Sequence, residues 1–80
     1  MNINERLALL VSKVLGVQLS QISKNLSPET SETWTSLQHM KLITAVEEEF
    51  EIYFSYQEVV DVMKYDSLER IVNDKLEVGG

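Results

Sequence analysis

The sequence predicts an all-α fold, a small four-helix bundle with a long loop between helices 1 and 2 and a short third helix. Two observations carry this. Apolar residues recur at helical spacing in every long segment, and a capping residue stands before each of those segments. Length sets the scale: 80 residues make one domain, residues 1–80, able to bury only about 60% of its unfolded surface. A hydrophobic content of 44% suffices for one modest core and argues against disorder.

The first helix is expected from about Ile3 to Leu15, with Ile3, Leu7, Leu10, Val11 and Val14 on one face and Asn2 or Asn4 as its cap. Gly16 ends it, because glycine adopts the left-handed conformation without strain. From Val17 to Thr33 the chain makes a long connection. Val17, Leu19, Ile22 and Leu26 are scattered through it among polar residues, and some of them are expected to anchor it on the core. Asn25-Leu26-Ser27 spells a glycosylation sequon, but Pro28 follows directly and no secretory signal is recognisable. Trp34, at the loop's end, reads as a packing anchor for the next helix.

Thr35 is placed to cap the second helix, with Gln38 three residues on completing a capping-box pattern. Ser36 then holds the first helical position, its hydroxyl facing outward beside unpaired backbone N–H groups and the positive end of the helix dipole. That setting favours a phosphate ester over a buried alcohol, while local sequence alone is read first as an ordinary first-turn serine. The apolar stripe is read as Leu37, Met40, Ile43, Val46 and Phe50, widened by Leu42 and Ala45. His39 and Lys41 are read on the exposed side of its first half. Glu47, Glu48, Glu49 and Glu51 concentrate negative charge at the helix C-terminus, where the macrodipole disfavours it. The cluster is either a surface read by basic partners or a solvated charge run.

Ile52, Tyr53 and Phe54 are too few for a paired strand and read as a buried link. Ser55 with Glu58 forms a second capping-box pattern, opening a short helix through Val59, Val60 and Met63. Asp66 with Glu69 repeats the pattern, and Leu68, Ile71, Val72 and Leu76 carry the face of the last helix before Gly79-Gly80.

Taken together, Thr35-Ser36-Leu37 followed by Val46-Glu47-Glu48-Glu49-Phe50-Glu51-Ile52 resembles the acyl carrier proteins, whose signature is Asp-Ser-Leu opening a helix that ends in an acidic run and an aromatic residue. The likeness extends over nearly the whole chain in helix order and length. It implies a stand-alone carrier, not an enzyme. Ser36 would bear 4'-phosphopantetheine, attached from coenzyme A by a phosphopantetheinyl transferase. Acyl groups would ride on that arm as thioesters and be presented to acyl-loading and acyl-processing enzymes with basic surfaces, in a dedicated fatty-acid, polyketide or related pathway. The resemblance also implies that apolar side chains between the second and third helices, such as Leu37, Met40, Val46, Val59 and Met63, separate to admit the acyl chain. Partner recognition would fall on Thr35, Leu37, Met40, Lys41, Glu47 and Glu48. The sequence departs from the pattern at Thr35, which replaces the usual aspartate but still caps the helix. It departs again at His39 and Lys41, where family members commonly show a carboxylate, which points to dedicated partners.

Other readings compete. Asp66-Ser67-Leu68 spells the signature literally, yet no acidic helix ending in an aromatic follows it, so Ser67 reads as part of a helix start. His39 stands three residues after Ser36, but a nucleophile and base pair needs a third orienting group and an oxyanion site that no other motif supplies. Consecutive helical carboxylates at Glu47 to Glu51 diverge and lack Ca²⁺-loop spacing, so no specific metal site is expected. Gly79-Gly80 raises a ubiquitin-like or sulfur-carrier protein, a class whose strand-rich fold the helical periodicity opposes. An unmodified helical interaction module using the acidic face, or an aminoacyl or peptidyl carrier, stays open.

A net charge of −6 opposes nucleic-acid phosphates and anionic membrane surfaces alike, so neither is an expected partner. There is no cysteine, which removes disulfides, thiolate metal sites and cysteine nucleophiles. The sequence shows neither a signal-peptide pattern nor an apolar run approaching the roughly 20 residues that span a bilayer. A cytoplasmic monomer is the expectation.

Overall fold

The computed structural model describes residues 1–79. It contains α1 (Ile3–Leu15), α2 (Ser36–Phe50), α3 (Tyr56–Asp61) and α4 (Tyr65–Gly79), with one 3₁₀ turn at Leu19–Gln21 inside the long loop. The expected class and helix order are therefore observed, including the short third helix. Gly80, half of the Gly79-Gly80 pair, lies outside the described residues.

Three helices start where a short polar side chain replaces a missing helical carbonyl. Asn2 Oδ1 accepts the Glu5 N–H at 2.8 Å, and Thr35 Oγ1 accepts the Gln38 N–H at 3.2 Å. Ser55 and Glu58 form the full reciprocal box, at 3.2 and 2.8 Å. Gly16 closes α1 in the left-handed region at φ 67°. Gln38 does not complete a box with Thr35. Its side chain instead donates to the Val14 carbonyl at 3.1 Å, tying the start of α2 to the end of α1. At the opposite end Arg6 pairs with Glu49 at 2.9 Å and lies over the Phe50 ring, so α1 and α2 run antiparallel.

The start of α4 differs from expectation. Asp66 is not a cap, because the helix already begins at Tyr65, and its carboxylate pairs with Arg70 one turn on at 3.0 Å. The first amides of α4 are taken by the long loop: Tyr65 N–H donates to the Leu26 carbonyl at 2.8 Å and Asp66 N–H to the Lys24 carbonyl at 3.2 Å. Backbone therefore does there what a side-chain cap does elsewhere. The same bonds hold the loop down, together with buried Leu26 and half-buried Val17 and Ile22, whereas Leu19 stays exposed.

The core gathers Leu7, Val11 and Leu15 of α1, Trp34, four residues of α2, Ile52, Val62, and Tyr65, Leu68 and Val72 of α4. Two apolar readings need correction. Within the Ile52–Phe54 link Ile52 is buried and Phe54 packs half-buried against the core, but Tyr53 between them is 83% exposed, the alternation of side chains along a non-helical segment. After α3 it is Val62, not Met63, that enters the core, since the helix ends at Asp61. No described helix is long and apolar enough to cross a membrane.

Two positions carry visible cost. Glu51 adopts φ 55° and ψ 48° at the end of α2, a left-handed conformation that strains a residue with a Cβ. Tyr65 buries its hydroxyl with no hydrogen-bond partner among the described residues. Burial first, and then the nearby Glu69 carboxylate, push its pKa up to about 12.

Glu51→Gly is expected to raise stability by about 1 kcal/mol in urea unfolding, by relieving the left-handed strain. For Tyr65 the folded value lies above the unfolded value near 10, so the folded state holds the phenolic proton longer. The resulting stability is fully present below pH about 10 and is lost as the pH rises toward about 12. Tyr65→Phe should flatten that loss and leave stability at pH 7 unchanged or up to about 1 kcal/mol higher; urea midpoints at pH 7 and pH 11 check both.

Candidate functional site

Ser36 is exposed and opens α2, directly after the Thr35 cap. The residues around it are set by the phase of that helix. Each residue turns an α-helix by about 100°, so every three-residue step falls about 60° short of a full turn. Stepping from Leu37 through Met40 and Ile43 to Val46 therefore drifts by about 180°, and Leu37 cannot share a face with Val46. The buried face is Leu42, Ile43, Val46 and Phe50, while Leu37 is 65% and Met40 53% exposed. Both were expected to begin the core stripe; both are surface residues. Ala45 is half-buried at its margin, and Lys41 is exposed as expected.

The same phase brings His39 inward, four residues before Ile43 on the core side, which corrects its reading as a surface histidine. Its ring is half-buried and stacks on Trp34 with centroids 6.0 Å apart. The Trp34 indole N–H donates to His39 Nδ1 at 3.0 Å, and Nε2 lies 2.9 Å from the Val59 carbonyl oxygen. An indole N–H can only donate and a carbonyl can only accept, so the ring proton belongs on Nε2. With both nitrogens committed, His39 holds no free lone pair with which to act as a base toward Ser36. Trp34 itself, 1% exposed, is the packing anchor that the sequence implied.

Between the loop, the start of α2 and α3 lies an open cleft of about 660 Å³. Thr35, Ser36, His39 and Met40 form one side, Tyr56, Val59, Val60, Val62 and Met63 the other, and Pro28 and Glu29 of the loop close the end. Of the side chains expected around an acyl chain, Met40, Val59 and Met63 do line it. Leu37 lies outside it and Val46 is fully buried in the core. Tyr56, Val60, Glu29 and His39 were not anticipated there. The phase of α2 was a usable signal for His39, whereas the loop's approach through Pro28 and Glu29 had none in sequence.

The acidic end of α2 is divided in use. Glu47 turns toward the link and accepts the Phe54 N–H at 2.8 Å, and Glu49 is paired with Arg6. Glu48 and Glu51 are exposed. Among the described residues no three acidic or histidine side chains gather as a metal site. In α3 the Lys75 ammonium, followed by the Ser55 backbone N–H, holds the Glu58 carboxyl below its usual value. Ser67 sits half-buried within the first turn of α4, part of a helix start as its sequence reads.

Compared with known proteins, the chain matches no protein-family model and no curated protein.

The division of the acidic run has a measurable consequence. Glu47→Ala should cost about 1–2 kcal/mol, because a backbone donor loses a charged acceptor. Glu48→Ala should stay within about 0.5 kcal/mol. Thermal or urea unfolding of the two variants separates them.

Proposed function

We propose that this chain is a carrier module, modified on Ser36 with 4'-phosphopantetheine and acting as a tethered substrate for other enzymes rather than as a catalyst. The observation that carries the proposal is the combination at one end of the bundle: an exposed serine at the first position of a capped fifteen-residue helix, opening onto an apolar cleft of about 660 Å³. The residues fit the group. The start of α2 offers backbone N–H groups and a positive dipole end to a phosphodiester, and Met40, Val59, Val60 and Met63 offer apolar walls to an attached chain.

In the modification, Ser36 Oγ forms the new bond to phosphorus as the pyrophosphate bond of coenzyme A breaks. Adenosine bisphosphate leaves, and the hydroxyl proton passes to the phosphopantetheinyl transferase. When bound, the arm supplies a terminal thiol able to hold acyl groups as thioesters. This chain's own residues then present and shelter that cargo. Leu37, Met40 and Lys41 surround the serine on the exposed side and Glu48 lies farther along α2. That surface suits partner enzymes with an apolar contact near the serine and basic residues beyond it. Glu47 is withdrawn from this surface by its bond to the Phe54 N–H. Lys41 and Thr35 make the serine end less acidic than the family pattern, which supports a dedicated fatty-acid, polyketide or related pathway.

Incubation with coenzyme A and a broad-specificity transferase, followed by intact mass, tests the reading. The wild type and Ser67→Ala are expected to gain one phosphopantetheine and Ser36→Ala none. A folded wild type that gains nothing would favour an unmodified interaction module built on the same surface.

A further inference from the structure

We propose that His39 is the latch that holds α3 against α2 and thereby sets the opening of the cleft beside Ser36. α3 has six residues, none of them buried, and so short a helix does not persist in water unaided. It is moored at its ends by Ile52 and Val62 in the core and on its outer side by the Glu58–Lys75 pair at 2.9 Å. On the cleft side Val59 packs half-buried against the core, and the hydrogen-bonded tie is the His39 ring. The Val59 carbonyl belongs to the last turn of α3, where carbonyls lack a helical partner, and His39 Nε2 meets it at 2.9 Å. His39 is therefore a side-chain cap delivered from a neighbouring helix. The ring is kept in the required tautomer and orientation by the Trp34 indole at 3.0 Å.

Val59, Val60 and Met63 form the α3 wall of the cleft, and His39 and Met40 stand opposite. Loss of the ring's bond frees that wall while α1, α2 and α4 keep their own packing. Cargo that needs more room than the cleft offers gains it by breaking one hydrogen bond rather than by repacking the core. Only this statement about cargo rests on the carrier reading of Ser36; the latch stands on the geometry of the unmodified protein.

Amide hydrogen exchange and methionine methyl spectra of the unmodified wild type, His39→Phe and His39→Gln test the latch. His39→Phe keeps a ring and loses both bonds; His39→Gln retains a donor able to reach the Val59 carbonyl. In His39→Phe the Val59 and Val62 amides should exchange about tenfold faster with Val11 of α1 unchanged. The Met40 and Met63 methyl signals should shift while Met1 does not, and His39→Gln should restore part of both effects. Ring ¹⁵N shifts of the wild type should report a proton on Nε2 and a bare Nδ1. Unchanged exchange at Val59 and Val62, an equal acceleration at Val11, or a proton on Nδ1 in the folded wild type would overturn the proposal, the last without any variant. None of these readouts uses coenzyme A. Failure of Ser36 to accept the arm would leave the latch standing, and a fixed α3 would leave the modification standing.

Discussion

A buried indole cannot leave its N–H unpaired, and the candidate site follows from how that demand is met at Trp34. The side chain is the largest in the core, and burying its ring contributes several times what a methyl group does. Its polar edge then requires an acceptor, which His39 Nδ1 supplies. That commits the other ring nitrogen to donate, and the Val59 carbonyl receives it. The neighbouring Trp34 and His39 are joined to the distant Val59 by a short sequence of obligations, each passed on by the chemistry of the previous group.

The same principle organises the long loop. Seventeen residues without regular packing would leave many backbone groups in need of partners. Here the loop uses two of its carbonyls to receive the first amides of α4, so one set of unsatisfied groups answers the other. The loop lies down only partly, however, and where Pro28 and Glu29 stand apart from α3 the cleft remains. The opening beside Ser36 is what is left when the loop, α2 and α3 have met their polar requirements at Trp34, His39 and Val59 without closing the space between them.

Helix identity and most boundaries were legible because they depend on local chemistry. Asn2, Gly16, Thr35 and Ser55 act on amides and carbonyls within a few residues of themselves, and each does what its type implies. The rotation of α2 was legible in principle but required helical phase rather than simple three-residue recurrence. Leu37 and Met40 satisfy the spacing while missing the face, and His39 lies on that face without being apolar. The start of α4 was legible to within a turn, but what caps it was not. Asp66 and Glu69 carry a capping pattern, yet the Asp66 N–H that Glu69 would receive is taken by the Lys24 carbonyl, and the Tyr65 N–H before it by the Leu26 carbonyl, pairings decided by tertiary approach. Glu47 is similar: nothing in the run of three glutamates Glu47–Glu49 distinguishes the one that turns back to the Phe54 N–H from its neighbours.

The bonds between the loop and α4 also bear on how the chain is made. Synthesis proceeds from the N-terminus, so the carbonyls of Lys24 and Leu26 are in place long before the amides of Tyr65 and Asp66 exist. α1 and α2 can pair early through Gln38 and Arg6, but the Lys24 and Leu26 carbonyls of the loop lack their backbone partners until α4 has emerged. A nascent or truncated chain therefore displays Ser36 on a helix whose surroundings are incomplete. Any enzyme that reads the closed loop together with the serine is, by that geometry, reading whether the chain has been translated through the start of its last helix.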